Sequence, residues 1–215
     1  DHTYSDSNND IIAIFIEPIG GQDLQVTPEN FLSDMCQLSK DNDIFTVFDE
    51  IKIGMGRSGN ENLFCFEKES AMPDVLTISK ALGGGKRAIG AMITSNKLFK
   101  LAYGSVDTCA QHSSTFSGIG ETCAVAIETL NIISGKNFLK DVNRKAILLK
   151  SELLLLQKEY PKYIKSIKGE GLFLGIEFNF GWVSKIANVS KSKKISKIAN
   201  GVGIAAIVRR LFTEY

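Results

Sequence analysis

Three observations in this sequence predict an α/β fold with a largely parallel sheet. Short β-branched apolar runs recur through its first half, at residues 11–16, 44–48, 75–78 and 89–94. The first three are continuous rather than alternating, as in strands buried on both faces. Turn residues and stretches of helical spacing separate them, so strand and helix alternate as a parallel sheet requires. The 215 residues make one large domain, or one domain with an appendage. With 44% of them apolar, a core can form without disulfides or metals.

The first run ends at Glu17-Pro18-Ile19-Gly20-Gly21, a stretch rich in turn formers. Thr27-Pro28 then reads as a helix N-cap and first helical residue, with Phe31, Leu32, Met35 and Leu38 at helical spacing behind them. The second run stops at Asp49-Glu50 and the third at Ser79-Lys80. After Gly118 the texture changes: residues 121–133 predict one helix and 137–160 a longer one. Phe173, Leu174, Ile176 and Phe178 predict a strand reached through Gly169-Glu170-Gly171. Helices take over near Gly135, which divides the chain into domains 1–135 and 136–215. The last stretch repeats Ser-Lys-Ile-Ala-Asn at 184–188 and 196–200, too little for a solenoid. The run Lys191-Ser192-Lys193-Lys194 reads as a solvated face.

Composition excludes several classes. The 25 Lys+Arg balance 24 Asp+Glu, so neither a basic nucleic-acid binder nor an acidic tail is indicated. No apolar run approaches the ~20 residues of a membrane span. The first ten residues are polar, unlike a signal peptide. Cys36, Cys65, Cys109 and Cys123 form no Cys-x-x-Cys pair, and only His2 and His112 could join them. Reduced thiols in a cytoplasmic protein without a metal site are the expectation, and the sequon at Asn188 carries no weight without an export signal.

Ligands of open parallel sheets bind beyond the carboxyl ends of the strands. Glu17, Asp49 with Glu50, and Lys80 follow three of the predicted strands directly. A charge left unpaired there costs several kcal/mol. Any one of them could mark no more than a strand's exit into solvent; three at one edge point to a site. Lys80 also precedes Ala81-Leu82-Gly83-Gly84-Gly85. The Walker phosphate loop does not fit, because Lys80 stands where its first glycine belongs and Arg87 where its hydroxyl belongs. A strand-end lysine followed by a flexible glycine turn suits a Schiff-base lysine.

Six segments occur in order: Ile14-Phe15-Ile16-Glu17-Pro18-Ile19, Phe48-Asp49-Glu50-Ile51, Gly54-x-Gly56-Arg57-Ser58-Gly59, the stretch from Pro73 to Gly85, Ile89-Gly90-Ala91, and His112-Ser113-Ser114-Thr115-Phe116-Ser117-Gly118. Together they resemble the class III (ω- and ornithine-type) aminotransferases, pyridoxal-phosphate enzymes of fold type I. Lys168 to Glu177 resembles that family's C-terminal domain, and the likeness spans about residues 11–180. It implies part of the fold type I large domain, a mostly parallel sheet with flanking helices, followed by part of a small α+β domain. It further implies Lys80 as the lysine that binds pyridoxal 5'-phosphate and moves the substrate proton. Asp49 would meet the cofactor's pyridine nitrogen, and Ser114 and Thr115 its phosphate. Thr115 would reach across a homodimer, and Glu17 would face the substrate.

The same likeness identifies departures. Lys52 and Ile53 stand where the family has a ring-oxygen-binding Gln and then Thr. Lys86-Arg87-Ala88 replaces an aromatic-proline segment, and Ile119-Gly120-Glu121 replaces Asn-Pro-Leu. Family members are roughly twice this long, so the chain reads as an interior fragment. It lacks the N-terminal phosphate turn, and it stops, in a predicted amphipathic helix carrying Arg209 and Arg210, before the substrate-carboxylate Arg. The activity implied is transfer of an amino group between an amino donor and an aldehyde or keto acid. A racemase or decarboxylase on the same fold, or a non-catalytic paralogue, are the alternatives.

Overall fold

A computed structural model describes residues 11–135 and 137–179. The final repeat, the Lys-rich run, the sequon and the helix expected at the C-terminus lie outside the described residues. Four strands form one sheet in the order β1 (Ala13–Ile16), β2 (Phe45–Asp49), β3 (Val75–Ile78), β4 (Ala91–Thr94). The first three run parallel and β4 antiparallel. Helix α1 (Phe31–Asp41) connects β1 to β2. Helix α2 (Asn96–Tyr103), unforeseen from the sequence, follows β4 and is capped by the Ser95 hydroxyl, which accepts from Leu98 N at 3.1 Å. Helices α3 (Gly120–Ile133) and α4 (Phe138–Glu159) fall within a residue of the predicted spans. The predicted strand is β6 (Phe173–Phe178), and it pairs with an unpredicted β5 (Ile164–Glu170) in a separate two-stranded sheet.

The chain divides into two compact units. The first comprises, among the described residues, 11–135 and 137–150 with 169–174. Its core gathers Ile16, Leu32, Phe48, Met55, Phe66, Leu76, Ile78 and Leu82 with Ala126 and Ile133 of α3. Phe48 is fully buried, its ring tilted against that of Phe66 with centroids 6.0 Å apart. The second unit comprises, among the described residues, 151–168 and 175–179. There Glu177 accepts from Lys165 Nζ at 2.6 Å, Ser166 Oγ at 2.7 Å and Lys168 Nζ at 3.1 Å. Those donors, Lys165 first, hold its carboxyl down at about 2.

Two expectations are corrected. The first strand is buried on one face only: Ile14 and Ile16 pack on the core while Phe15 is 74% exposed. Helix α1 starts at Phe31, not at Pro28, because Thr27 is committed elsewhere. Its N–H and hydroxyl both donate to the Pro18 carbonyl at 3.1 Å, closing the β1–α1 turn. Asn30 then takes the left-handed conformation, φ 63°, at the N-cap. The opening amides of α1 are satisfied from a distance, Leu32 N at 2.9 Å and Ser33 N at 3.3 Å donating to Glu69 Oε2. A carboxylate at a helix N-terminus also meets the favourable end of the helix dipole.

Candidate active site

Register decides which strand ends meet. Ile16 lies beside Phe48 and Asp49 beside Thr77, so the carboxyl ends of β1, β2 and β3 share one edge. Glu17, Asp49 and Lys80 therefore follow adjacent strands at that edge, as the sequence pattern suggested. Asp49 is half-buried and accepts from Ile51 N through Oδ1 at 2.9 Å. Among the described residues its Oδ2 has no hydrogen-bond partner. Lys80 is exposed, makes no ion pair among the described residues, and opens a short 3-10 helix, Lys80–Gly83. Its φ of 44° is left-handed, a conformation that costs a lysine ~1–2 kcal/mol.

A cleft of about 880 Å³ runs along the end of β3 and the start of β4. Ile51, Thr77, Ser79, His112, Ser114 and Ser117 are among the residues that line it. Asp49 and Lys80 are not among its lining residues, but their neighbours are: Thr77 is the register partner of Asp49, and Ser79 precedes Lys80. Ser114 lines the cleft and its Oγ accepts from Phe116 N at 3.1 Å, whereas Thr115 does not line it.

Glu17 and Lys52 are drawn to a different partner, the Gly21 peptide. Glu17 Oε2 accepts from Gly21 N at 2.5 Å, and Lys52 Nζ donates to Gly21 O at 2.9 Å. A Cβ at position 21 would stand 2.3 Å from Lys52 Nζ and 2.6 Å from Glu17 Oε2, so a larger residue there would push both side chains off the Gly21 peptide. Arg57 in turn donates to the Lys52 carbonyl at 2.7 Å. Lys52 thus fastens the β1–α1 turn to the segment after β2, and its ammonium is engaged away from the cleft lining.

Glu50, adjacent to Asp49, has another task. It is 1% exposed and accepts from Cys65 N at 2.8 Å and Phe66 N at 2.9 Å, capping the 3-10 helix Cys65–Glu69. Burial raises its carboxyl to about 7, against the pull of those two amides. Neighbours along an extended chain point to opposite faces, so Asp49 and Glu50 could not both face the site. The same burial pushes the Cys65 thiol up to about 12, leaving it inert. Sequence reasoning missed Thr77 and Ser79 as cleft residues; their signal is adjacency to a strand-end lysine.

A half-buried carboxylate with a free oxygen, an unpaired lysine at the next strand end and a hydroxyl-rimmed cleft fit a phosphorylated, cationic-ring cofactor. The family profile of class-III aminotransferases matches residues 2–208. The chain belongs to the class-III aminotransferases. Solved structures agree with this family assignment. The acetylornithine aminotransferase of Elizabethkingia anophelis is 28% identical, with a TM-score of 0.70 over 78% of this chain and 40% of its own. The N-acetylornithine aminotransferase of Stenotrophomonas maltophilia is 26% identical, with a TM-score of 0.65 over 84% of this chain and 44% of its own. The ornithine aminotransferase of Toxoplasma gondii, with PLP at partial occupancy in its active site, is 28% identical, with a TM-score of 0.67 over 78% and 38%. This class-III aminotransferase chain therefore spans about two-fifths of the length of the structures it matches. Its sheet and flanking helices are those of fold type I.

Proposed function

We propose that this chain carries the lysine half of a pyridoxal-phosphate-dependent aminotransferase site, acting between an amino donor and an aldehyde or keto acid. The observation that carries the reading is the register that sets Asp49 and Lys80 at one sheet edge beside a cleft. When bound, pyridoxal phosphate supplies an electron sink for the pair left on the substrate carbon. Lys80 would hold the cofactor covalently, then carry the proton to and from the carbon that bears the amino group. Asp49, with Oδ1 fixed by Ile51, would keep a proton on the pyridine nitrogen through Oδ2. Ser114 would receive the phosphate, and Thr115 that of a neighbouring subunit in a homodimer. Glu17 would bound the substrate side. Lys52 would meet the ring oxygen only after leaving the Gly21 carbonyl. The division into a large domain, 1–135, and a small one, 136–215, and a cytoplasmic location belong to the same reading. Among the described residues no helix is long and apolar enough to cross a membrane.

Family membership favours amino transfer over racemisation or decarboxylation. The test is incubation with pyridoxal phosphate, borohydride reduction and peptide mass spectrometry. A single adduct on Lys80, absent from Lys80→Ala, is expected. Adducts scattered over surface lysines, unchanged in that variant, would return the chain to the non-catalytic alternative.

A further inference from the structure

We propose that Ser79 is a positioning residue for Lys80, its hydroxyl holding the lysine backbone in the left-handed conformation by closing the β3–β4 loop. This rests on the reading of Lys80 as the cofactor lysine. A left-handed lysine persists only where its surroundings over-determine it. The antiparallel ladder of β3 and β4 reaches Ile78 opposite Ala91. One step beyond, Ser79 Oγ donates to the Ile89 carbonyl at 2.6 Å. The side chain thus extends the ladder past its last backbone pair. A Cβ on Gly90 would stand 3.6 Å from both Ile78 O and Ser79 Oγ, so the two arms of the loop are already in contact there.

Inside the closed ring the backbone is fixed again. Leu82 N donates to Ser79 O at 3.0 Å, and Lys86 N and Arg87 N donate to Gly83 O at 2.9 and 3.1 Å. Lys80 lies between the two bonds made by Ser79, one through its hydroxyl and one through its carbonyl. Its Cα is pinned while its long side chain stays exposed. Leu82, 3% exposed, anchors the far side of the turn in the core. Without the hydroxyl, the half-buried Ile89 carbonyl loses its partner and the strained residue can relax.

The experiment compares wild type, Ser79→Ala and Ser79→Thr, each also combined with Lys80→Gly. Glycine takes positive φ without strain. Two readouts are taken, amide hydrogen exchange at Leu82 and, where Lys80 is present, the fraction of reduced pyridoxal-phosphate adduct on Lys80 relative to other lysines. Ser79→Ala should speed Leu82 exchange and lower the Lys80 fraction, each by about fivefold, the factor of one net hydrogen bond. Ser79→Thr should restore both. In the Lys80→Gly background Ser79→Ala should change Leu82 exchange far less, because no strained residue remains to be held. Equal acceleration in both backgrounds, or none in either, would overturn the proposal. If Ser79→Ala fails to fold, folding of its Lys80→Gly double variant supports the proposal, and failure of that variant also overturns it. Absence of any wild-type adduct on Lys80 would sink the cofactor reading, while the exchange comparison would still decide the role of Ser79.

Discussion

Glu50 shows how one buried carboxyl ties a titration to a structure. Its folded value of about 7 lies above the 4.5 of an ordinary glutamate. Its stabilising contribution is therefore complete below about 4.5 and is lost as pH rises through about 7. The swing is on the order of 3 kcal/mol across that window. Glu50→Gln should remove this slope. Urea midpoints measured from about pH 5 to 8 test this, and parallel curves for the two proteins would refute it. At this scale the sequence was half legible. Strand ends that stop at Asp49 and Lys80 advertise themselves, because an apolar run gives way to charge. The bonds of Glu50 to Cys65 and Phe66, and of Ser79 to Ile89, join residues whose spacing has no period, so no pattern in the sequence points to them.

Among elements, the strong periodicities declared themselves and the weak ones did not. Helices α3 and α4 and the four sheet strands carry long or β-branched apolar patterns. Helix α2 is eight residues long, and β5 reads Ile-Lys-Ser-Ile-Lys-Gly-Glu, with two lysines breaking the alternation. The start of α1 was misplaced because a Thr-Pro pair has two uses, and here the threonine closes a turn. The connection from β5 to β6 shows what such local rules hide. Gly171, φ 62°, lies against the Arg57–Ser58 backbone, where a Cβ would meet Arg57 O at 2.2 Å and Ser58 C at 2.3 Å. Gly85 has a similar φ, 71°, but open space around it. Gly85→Ala should cost about 1–2 kcal/mol of backbone strain alone. Gly171→Ala should cost several times more, since two main-chain segments must part. Thermal unfolding of the pair decides it, and equal losses would show that the contact yields freely.

Over the whole molecule, burial sorts residues that the sequence made equivalent. Phe15 and Phe48 sit alike in continuous apolar runs, yet one is 74% exposed and the other 0%. Phe48→Ala should lower stability by about 3–5 kcal/mol and Phe15→Ala by no more than about 0.5 kcal/mol, as denaturant titration of each would register. Comparable losses would mean that Phe15 is buried against something in solution.

The order of the sheet has a kinetic consequence. Its four strands lie side by side in the sequence in which they are synthesised, β1 to β4. In vectorial synthesis β2, β3 and β4 each meet a neighbour that already exists. An open strand edge is a template for self-association, so its lifetime governs aggregation. Here that lifetime is set by the making of one connection at a time, which favours an orderly, growing edge over a late search among distant strands.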